Sequence, residues 1–290
     1  MLSFTVQAGN TLSGIARKFG IPLSALIAAN QITDPNQLKV GDKLLIPSAD
    51  TDQSTLPPPP APLPPVTAPI EIDRKKFALS PGQFFAETFP KDLLVLHFTA
   101  GSTARSAYDF WRNTPLQVAT SYLVDTDGKI YECFPPNYWA YHLGITGAAS
   151  ANWKHDKRSI GIEIANVGPL RPDKNNPQQL NWWPPDNKFQ TRYCTLAETG
   201  KYVAAPYRGY NHYASFPAAQ SDAVTALVEH LCTAFAIPRV LAPADRQTAF
   251  DIDFFKSFRG IATHQNFRKD KTDIGPAFPL AQVAPSATSS

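Results

Sequence analysis

Leu93-Leu94-Val95-Leu96-His97-Phe98-Thr99-Ala100 sets four apolar residues directly before a histidine and then gives way to small and polar ones. A run of that length, rich in branched residues, predicts a short buried strand. The strand would deliver His97 to its loop end. Ser102 or Thr103 then caps a helix with Ala107, Phe110 and Trp111 on one side. Further on, Ser121-Tyr122-Leu123-Val124 and Lys129-Ile130-Tyr131-Glu132 flank Asp125-Thr126-Asp127-Gly128, a hairpin signal. Ser159-Ile160-Gly161-Ile162-Glu163-Ile164 reads as another strand, with its isoleucines on one face and Gly161 and Glu163 on the other. In so apolar a strand, Glu163 is either an edge residue in water or a carboxylate placed in a site. Pro217 opens a long helix whose Val224, Leu227, Val228, Leu231, Cys232 and Phe235 form a stripe that covers a sheet. The expected fold class is α/β (α+β), with a mixed central β-sheet flanked by helices.

Near the C-terminal end, Ile261-Ala262-Thr263-His264 precedes Arg268-Lys269-Asp270-Lys271-Thr272-Asp273-Ile274-Gly275-Pro276. A histidine followed nine residues later by an aspartate can converge with His97 on one cation. Two imidazoles, one carboxylate and an open fourth position are the donor set of a catalytic zinc ion. Taken singly these signals are weak. A lone histidine beside apolar residues is commonly just packed, and Arg268 to Lys271 alone would be a solvated charge run.

The chain has 290 residues, room for two domains of roughly 100 to 200 residues. With 43% hydrophobic and 18% charged residues, it is neither disordered overall nor a coiled coil. A net charge of +3 is far below that of a typical nucleic-acid binder, so no nucleic acid is expected as partner. No apolar run approaches the 18 or so residues that cross a bilayer, so no membrane span is expected. Met1-Leu2-Ser3-Phe4-Thr5-Val6 lacks the regions of a secretory signal and reads as a first strand.

Eight of the 28 prolines fall between Pro57 and Pro69. Proline fixes φ and lacks a donor, so this segment predicts a polyproline II spacer of roughly 25 to 30 Å from Pro57 to Pro65. The expected division is a head at 1–48, a linker at 49–70, a body at 71–280 and a disordered tail at 281–290. Within the head, Phe4-Thr5-Val6 is a strand, and Thr11 caps a helix carrying Leu12, Ile15, Ala16 and Phe19 that Gly20 closes. Pro22 and Ser24 start a second helix, for which Asn30 suits a left-handed ending. Leu44-Leu45-Ile46 returns as a strand, giving a small βααβ head.

The head resembles a LysM domain over Phe4 to Pro47, through Val6-x-x-Gly9-x-Thr11-Leu12, Ile15-Ala16, Leu26-x-x-x-Asn30 and Leu38-x-x-Gly41-x-x-Leu44-x-Ile46-Pro47. The resemblance implies binding of N-acetylglucosamine-containing glycans between the loops Gly9 to Leu12 and Asn30 to Pro35. Leu12 and Ile32 can pack against sugar faces or in the core. Asn30 is a sugar ligand or a helix cap.

The body resembles the N-acetylmuramoyl-L-alanine amidases, the zinc amidase superfamily that includes peptidoglycan recognition proteins. The anchors are Val95 to Ala100, the hairpin Tyr122 to Glu132, Trp139-Ala140-Tyr141-His142-Leu143-Gly144, Ser159 to Glu163, and His264 with Lys271-Thr272-Asp273-x-Gly275-Pro276. The resemblance implies one Zn2+ held by His97, His264 and Asp273, with Glu163 activating water and Lys271 near the developing oxyanion. Some branches carry a catalytic tyrosine just before the hairpin, where this chain has Ala119, Thr120 and Ser121. That leaves Glu163 as the base. Asp273, where other branches have cysteine, points to the bacterial and phage lytic branch. His142 is expected to contact substrate or to support a ligand, at even odds with packing.

Between Glu163 and Pro217 lie Trp182-Trp183-Pro184-Pro185 and several tyrosines, which look like an insertion. Trp182 and Trp183 can stack on sugar rings, or the segment is a loop folded over its own aromatics. Cys133, Cys194 and Cys232 show no metal spacing; they are reduced, or one pair forms after export. The expected function is hydrolysis of the amide between N-acetylmuramic acid and L-alanine in peptidoglycan, with the head holding the wall. The alternatives are a peptidoglycan-binding protein without turnover, or a zinc peptidase cutting elsewhere in the stem peptide. A monomer is expected, acting in the periplasm, wall or outside the cell after release through a holin or an export machine.

Overall fold

The computed structural model describes residues 2–7, 12–19, 26, 29, 30, 32, 39–47, 70–145, 153–183 and 188–287. The second helix of the head and the proline-rich linker lie outside them, apart from single head residues. The chain divides into two compact units, Met1–Ala61 with the last three residues, and Pro62–Ala287.

In the first unit, β1 (Leu2–Thr5) and β2 (Lys43–Ile46) pair antiparallel, with Leu2 opposite Ile46, and α1 (Leu12–Phe19) lies between them in sequence. Val6, Leu12, Ile15, Leu26, Leu44 and Ile46 form its core. Leu12 is only 4% exposed, which corrects its expected role as a sugar contact: it is a core residue. Asn30 is corrected too. Its amide nitrogen donates to the carbonyls of Leu26 and Leu45 at 2.7 and 2.8 Å, and its Oδ1 accepts from the Leu45 N–H at 2.6 Å. Both amide protons are spent on backbone, so Asn30 staples a helix end to β2. Ile32 is half-buried against the same core.

The second unit is built on a six-stranded mixed sheet in the order β13-β4-β7-β5-β6-β3. These strands are β3 (Ile72–Asp73), β4 (Leu93–Phe98), β5 (Tyr122–Val124), β6 (Ile130–Glu132), β7 (Ser159–Ile164) and β13 (Gly260–Thr263). β4 is parallel to both neighbours, β13 and β7, and buried throughout. This explains why its sequence is an unbroken apolar run without alternation. Leu94, Leu96, Ile160, Ile162 and Ile164 pack on one side with Val224, Leu227, Val228 and Leu231 of the long helix Ala218–Phe235. Leu93 and Val95 pack on the other side with Leu143, Phe255 and Phe267.

The helix Ala104–Asn113 begins as expected, the Thr103 side chain accepting from the Ser106 N–H. Its apolar face differs. Ala104 and Trp111 are buried and Ala107 packs beside them, but Phe110 is 60% exposed because one residue before Trp111 is a rotation of about 100°. The tail is also corrected: Leu280–Val283 is helical, Val283 and Ala284 are buried, and Leu241 exchanges backbone hydrogen bonds with Pro285 and Ala287. Small apolar residues suffice there because they fill the end of the helix-side core.

The largest difference is in the aromatic segment. It folds into a second, five-stranded sheet in the order β10-β9-β8-β12-β11. Its strands are β8 (Pro169–Pro172), β9 (Gln179–Trp182), β10 (Thr191–Thr195), β11 (Tyr202–Tyr207) and β12 (Tyr210–Ala214). Val167, Leu170, Leu180, Cys194 and Ala214 make its core, and Trp182 packs against them. Arg208 and Gly209, with φ of 46° and 83°, form the two-residue turn between β11 and β12; positive φ at both is the type I′ geometry of tight hairpins. The three cysteines are free, buried and divided among three separate cores, so no pair can form in this fold.

Lys91, just before β4, is 5% exposed and donates to the carbonyls of Tyr138, Lys157 and Ser159 at 2.8, 2.7 and 3.1 Å. Lys91→Met strands three acceptors in the interior. It is expected to cost about 3 kcal/mol or more, seen as a fall of roughly 6 to 12 °C in thermal midpoint for a domain of this size. An unchanged midpoint would show that water reaches those carbonyls.

Candidate metal centre

His97 leaves the end of β4 and Glu163 the facing position of β7, the two being direct register partners. Neighbouring parallel strands put such partners on one face, here the face turned away from the long helix. His264 begins a short 3-10 turn directly after β13, on the other side of β4. Asp273 returns nine residues later, and the Gln265 N–H donates to its carbonyl at 2.9 Å, closing the loop between the two.

His97 Nδ1, His264 Nδ1 and Asp273 Oδ2 face one another, at 3.0 Å between the nitrogens and 3.5 and 2.9 Å from each to the oxygen. All three residues are buried. Ligands at roughly 2.0 to 2.1 Å from a tetrahedral zinc lie about 3.3 to 3.4 Å apart, so the spacing suits a cation at their centre.

The ring tautomers follow from the surrounding hydrogen bonds. Ser159 Oγ donates to the His155 carbonyl at 2.6 Å, so it accepts from His142 Nε2 at 2.8 Å. His142 Nδ1 is then an acceptor and takes the proton of His97 Nε2 at 2.9 Å. His264 Nε2 donates to the Leu143 carbonyl at 2.9 Å. Each Nδ1 therefore turns a lone pair toward the carboxylate. Burial, then the charge of His264, pushes His97 down to about 4. Burial, with the charge of His97, also holds His142 well below its ordinary value. Burial alone would raise Asp273, but His264 and His97 hold it far below the usual carboxylate range. A neutral His97 and an ionised Asp273 are the protonation states in which these side chains bind metal.

His142 is thus corrected as a substrate contact. Its side chain is 4% exposed, and it stands behind His97. Gly161 makes the room: a Cβ there would lie 2.8 Å from Thr120 Cγ2 and 3.1 Å from His142 Nδ1. Asp156 accepts from the His142 and Leu143 N–H groups at 2.9 and 3.0 Å and holds that turn in place. Ser159, Asp156 and Gly161 were not singled out for this role by sequence; only the glycine in an apolar strand hinted at a close approach.

Glu163 is half-buried, and burial, followed by the charge of Asp273, pushes its pKa up to about 8, while Lys271 opposes the rise. Lys271 is near enough to act on His97 as well. Trp183, by contrast, directly follows β9 of the second sheet, where it is 48% exposed and stacks on Phe189 at 6.0 Å.

A mixed sheet that brings two imidazoles and a carboxylate from its strand ends together with a carboxylate from the following loop has a donor set that could hold a metal ion. The family model described as N-acetylmuramoyl-L-alanine amidase matches residues 87–276, and the chain belongs to that family. A LysM domain model matches residues 4–47. The protein is a peptidoglycan amidase with a wall-binding domain. Among solved structures it is similar to the N-acetylmuramoyl-L-alanine amidase LysC from Clostridium intestinale URNW, at 12% identity and a TM-score of 0.39, over 74% of this chain and 95% of that one. It is also similar to AmiD from E. coli in complex with anhydro-N-acetylmuramic acid-L-Ala-D-gamma-Glu-L-Lys, at 19% identity and 0.41, over 70% and 60%. The catalytic domain of XlyA is matched at 14% and 0.41, over 74% and 100%. No curated protein matches the chain. No helix among the described residues is long and apolar enough to cross a membrane.

Proposed function

We propose that this amidase works with one zinc ion held by His97 Nδ1, His264 Nδ1 and Asp273, and that it cleaves the amide joining the lactyl group of N-acetylmuramic acid to L-alanine. The observation that carries the reading is the convergence of His97 Nδ1, His264 Nδ1 and Asp273 Oδ2 at 2.9 to 3.5 Å from one another. When bound, zinc supplies a water whose pKa falls to about 7 and a positive charge for the developing oxyanion. Glu163 takes the water proton and passes it to the amide nitrogen as the C–N bond breaks. The Lys271 ammonium donates to the carbonyl oxygen as negative charge builds there. The products are a lactyl carboxylate and a free L-alanine amine. Trp183, 48% exposed, offers a ring face for stacking on a sugar, and the head raises the local concentration of glycan. The site of action is the cell wall.

The test is digestion of purified peptidoglycan followed by identification of the new amine end, with and without chelator. New N-terminal L-alanine that disappears with chelator supports the reading; a different new terminus, or none, sinks it.

Lys271→Ala is expected to lower kcat/KM at pH 7 by about 10²-fold, the usual loss for an oxyanion donor. Lys271 also lowers the pKa of Glu163. Its removal raises that pKa, so the acid limb of the pH–rate profile moves to higher pH, and the loss is larger at pH 6 than at pH 9. A loss equal at every pH would show that Lys271 does not reach Glu163.

A further inference from the structure

We propose that the β11–β12 hairpin of the second sheet is a backbone clamp on the metal-bearing loop, and that Arg208 at its tip is a positioning residue for Asp273 and Lys271. The proposal rests on the zinc reading given above.

Residues 267–275 contain no helix or strand, so no ladder of their own fixes their carbonyls. A side chain from another sheet does so. Arg208 Nη1 donates to the carbonyls of Arg268 at 3.4 Å, Lys269 at 2.7 Å and Lys271. Three carbonyls turned onto one guanidinium set the direction of the peptide planes between them. Side-chain direction alternates along an extended chain, so the plane at Lys271 governs where both Lys271 and Asp273 project. Arginine suits the task, because it stays charged and its rigid planar fork holds Nη1 in a fixed direction.

The rest of the hairpin grips the same loop at both ends. Tyr207 Oη donates to Gln265 Oε1 at 2.7 Å, and Gln265 is the residue whose N–H bonds to the Asp273 carbonyl at 2.9 Å. Tyr213 Oη donates to the Tyr207 carbonyl at 2.8 Å. At the far end, the Tyr213 ring lies so close to Gly275 that a Cβ there would be 3.2 Å from Cδ1. The type I′ turn, with positive φ at Arg208 itself, brings the guanidinium to the loop. The second sheet is therefore part of the machinery that fixes the third donor, and the segment that looked like a loop insertion supplies the order that the metal loop lacks.

The test is zinc affinity, read by competition against a chromophoric chelator, for wild type, Arg208→Ala, Arg208→Lys and Arg171→Ala. Groups that orient metal ligands contribute about 10- to 100-fold in affinity, and Arg208→Ala is expected to lose that much, with faster release of zinc to excess chelator. Arg208→Lys keeps the charge but not the fork and is expected to fall between. Arg171 sits on β8 of the same sheet over the Phe189 and Tyr210 rings, and its substitution is expected to leave affinity unchanged. The thermal midpoint of each metal-free variant separates clamping from general destabilisation. Should Arg208→Ala fail to fold, Arg208→Lys and Tyr207→Phe carry the comparison. Wild-type affinity in the Arg208 variants, or an equal loss in Arg171→Ala, overturns the clamp while leaving the zinc reading intact. A wild-type protein that binds no zinc overturns both.

Discussion

Glu163→Gln is expected to lower turnover by about 10³-fold while the protein keeps its zinc and its fold. General-base catalysis contributes roughly 10²- to 10⁴-fold, and Glu163 is the one carboxylate beside the three donors that is not itself a donor. Its position is fixed by register: it pairs with His97 across β7 and β4 and with Leu123 across β7 and β5. Glutamine has the same shape but cannot accept a proton, so the strand stays and the transfer is lost. Burial places the carboxyl at about 8 against an ordinary 4.5. A folded-state pKa raised above the unfolded one means the native state binds more protons in that window. The metal-free wild type therefore loses stability as pH rises from about 4.5 toward 8, and the glutamine variant loses less. Amine release and zinc content, measured on the same preparation, check the prediction. Activity within tenfold of wild type would mean that another group takes the proton.

Asp273→Ala is expected to remove both zinc and activity. With its carboxylate gone, two neutral imidazoles remain, and they carry no charge to offset that of the ion. Binding to the native state stabilises it by about 4 kcal/mol at a thousandfold excess over Kd, or roughly 8 to 16 °C in midpoint for a domain of this size. Zinc should raise the wild-type midpoint by that order and leave the variant unmoved. Equimolar zinc retained by the variant after dialysis would show that Asp273 is not a ligand. The chain's own geometry adds a second signature. Asp273 is the counter-charge to His97 in the closed site and favours its protonation, so the metal-free variant should bind a proton at His97 less readily than the wild type does.

Much of this was legible in the residues. The unbroken run Leu93 to Leu96 required a strand buried on both faces, and the long helix on one side and Leu143, Phe255 and Phe267 on the other supply that burial. The Asp-Thr-Asp-Gly turn fixed the β5–β6 hairpin, with Tyr122 opposite Glu132. The spacing from His264 to Asp273 suited a loop returning to one cation, and the donors do converge. What failed was equally physical. Phe110 was assigned to a buried side on proximity to Trp111, whereas helical rotation turns it out. For Leu12 and Asn30 the residues left a sugar contact open beside a core or capping role, and the structure takes the second: one fills the small core and the other spends its amide on backbone. The second sheet was missed because Tyr207-Arg208-Gly209-Tyr210 carries only one glycine where a type I′ turn needs two residues at positive φ.

The sequence by itself determined the main strands and the long helix of the central sheet and which side chains can bind a metal, because both depend on local spacing and residue chemistry. It could not determine which ring nitrogen of His97 faces the cation, what stands behind that ring, or what holds Asp273 in place. Those depend on His142, Ser159 and Arg208, whose partners lie 45, 17 and 63 residues away along the chain. Hydrogen-bond roles of this kind are set only when distant backbones meet, and no periodicity records them.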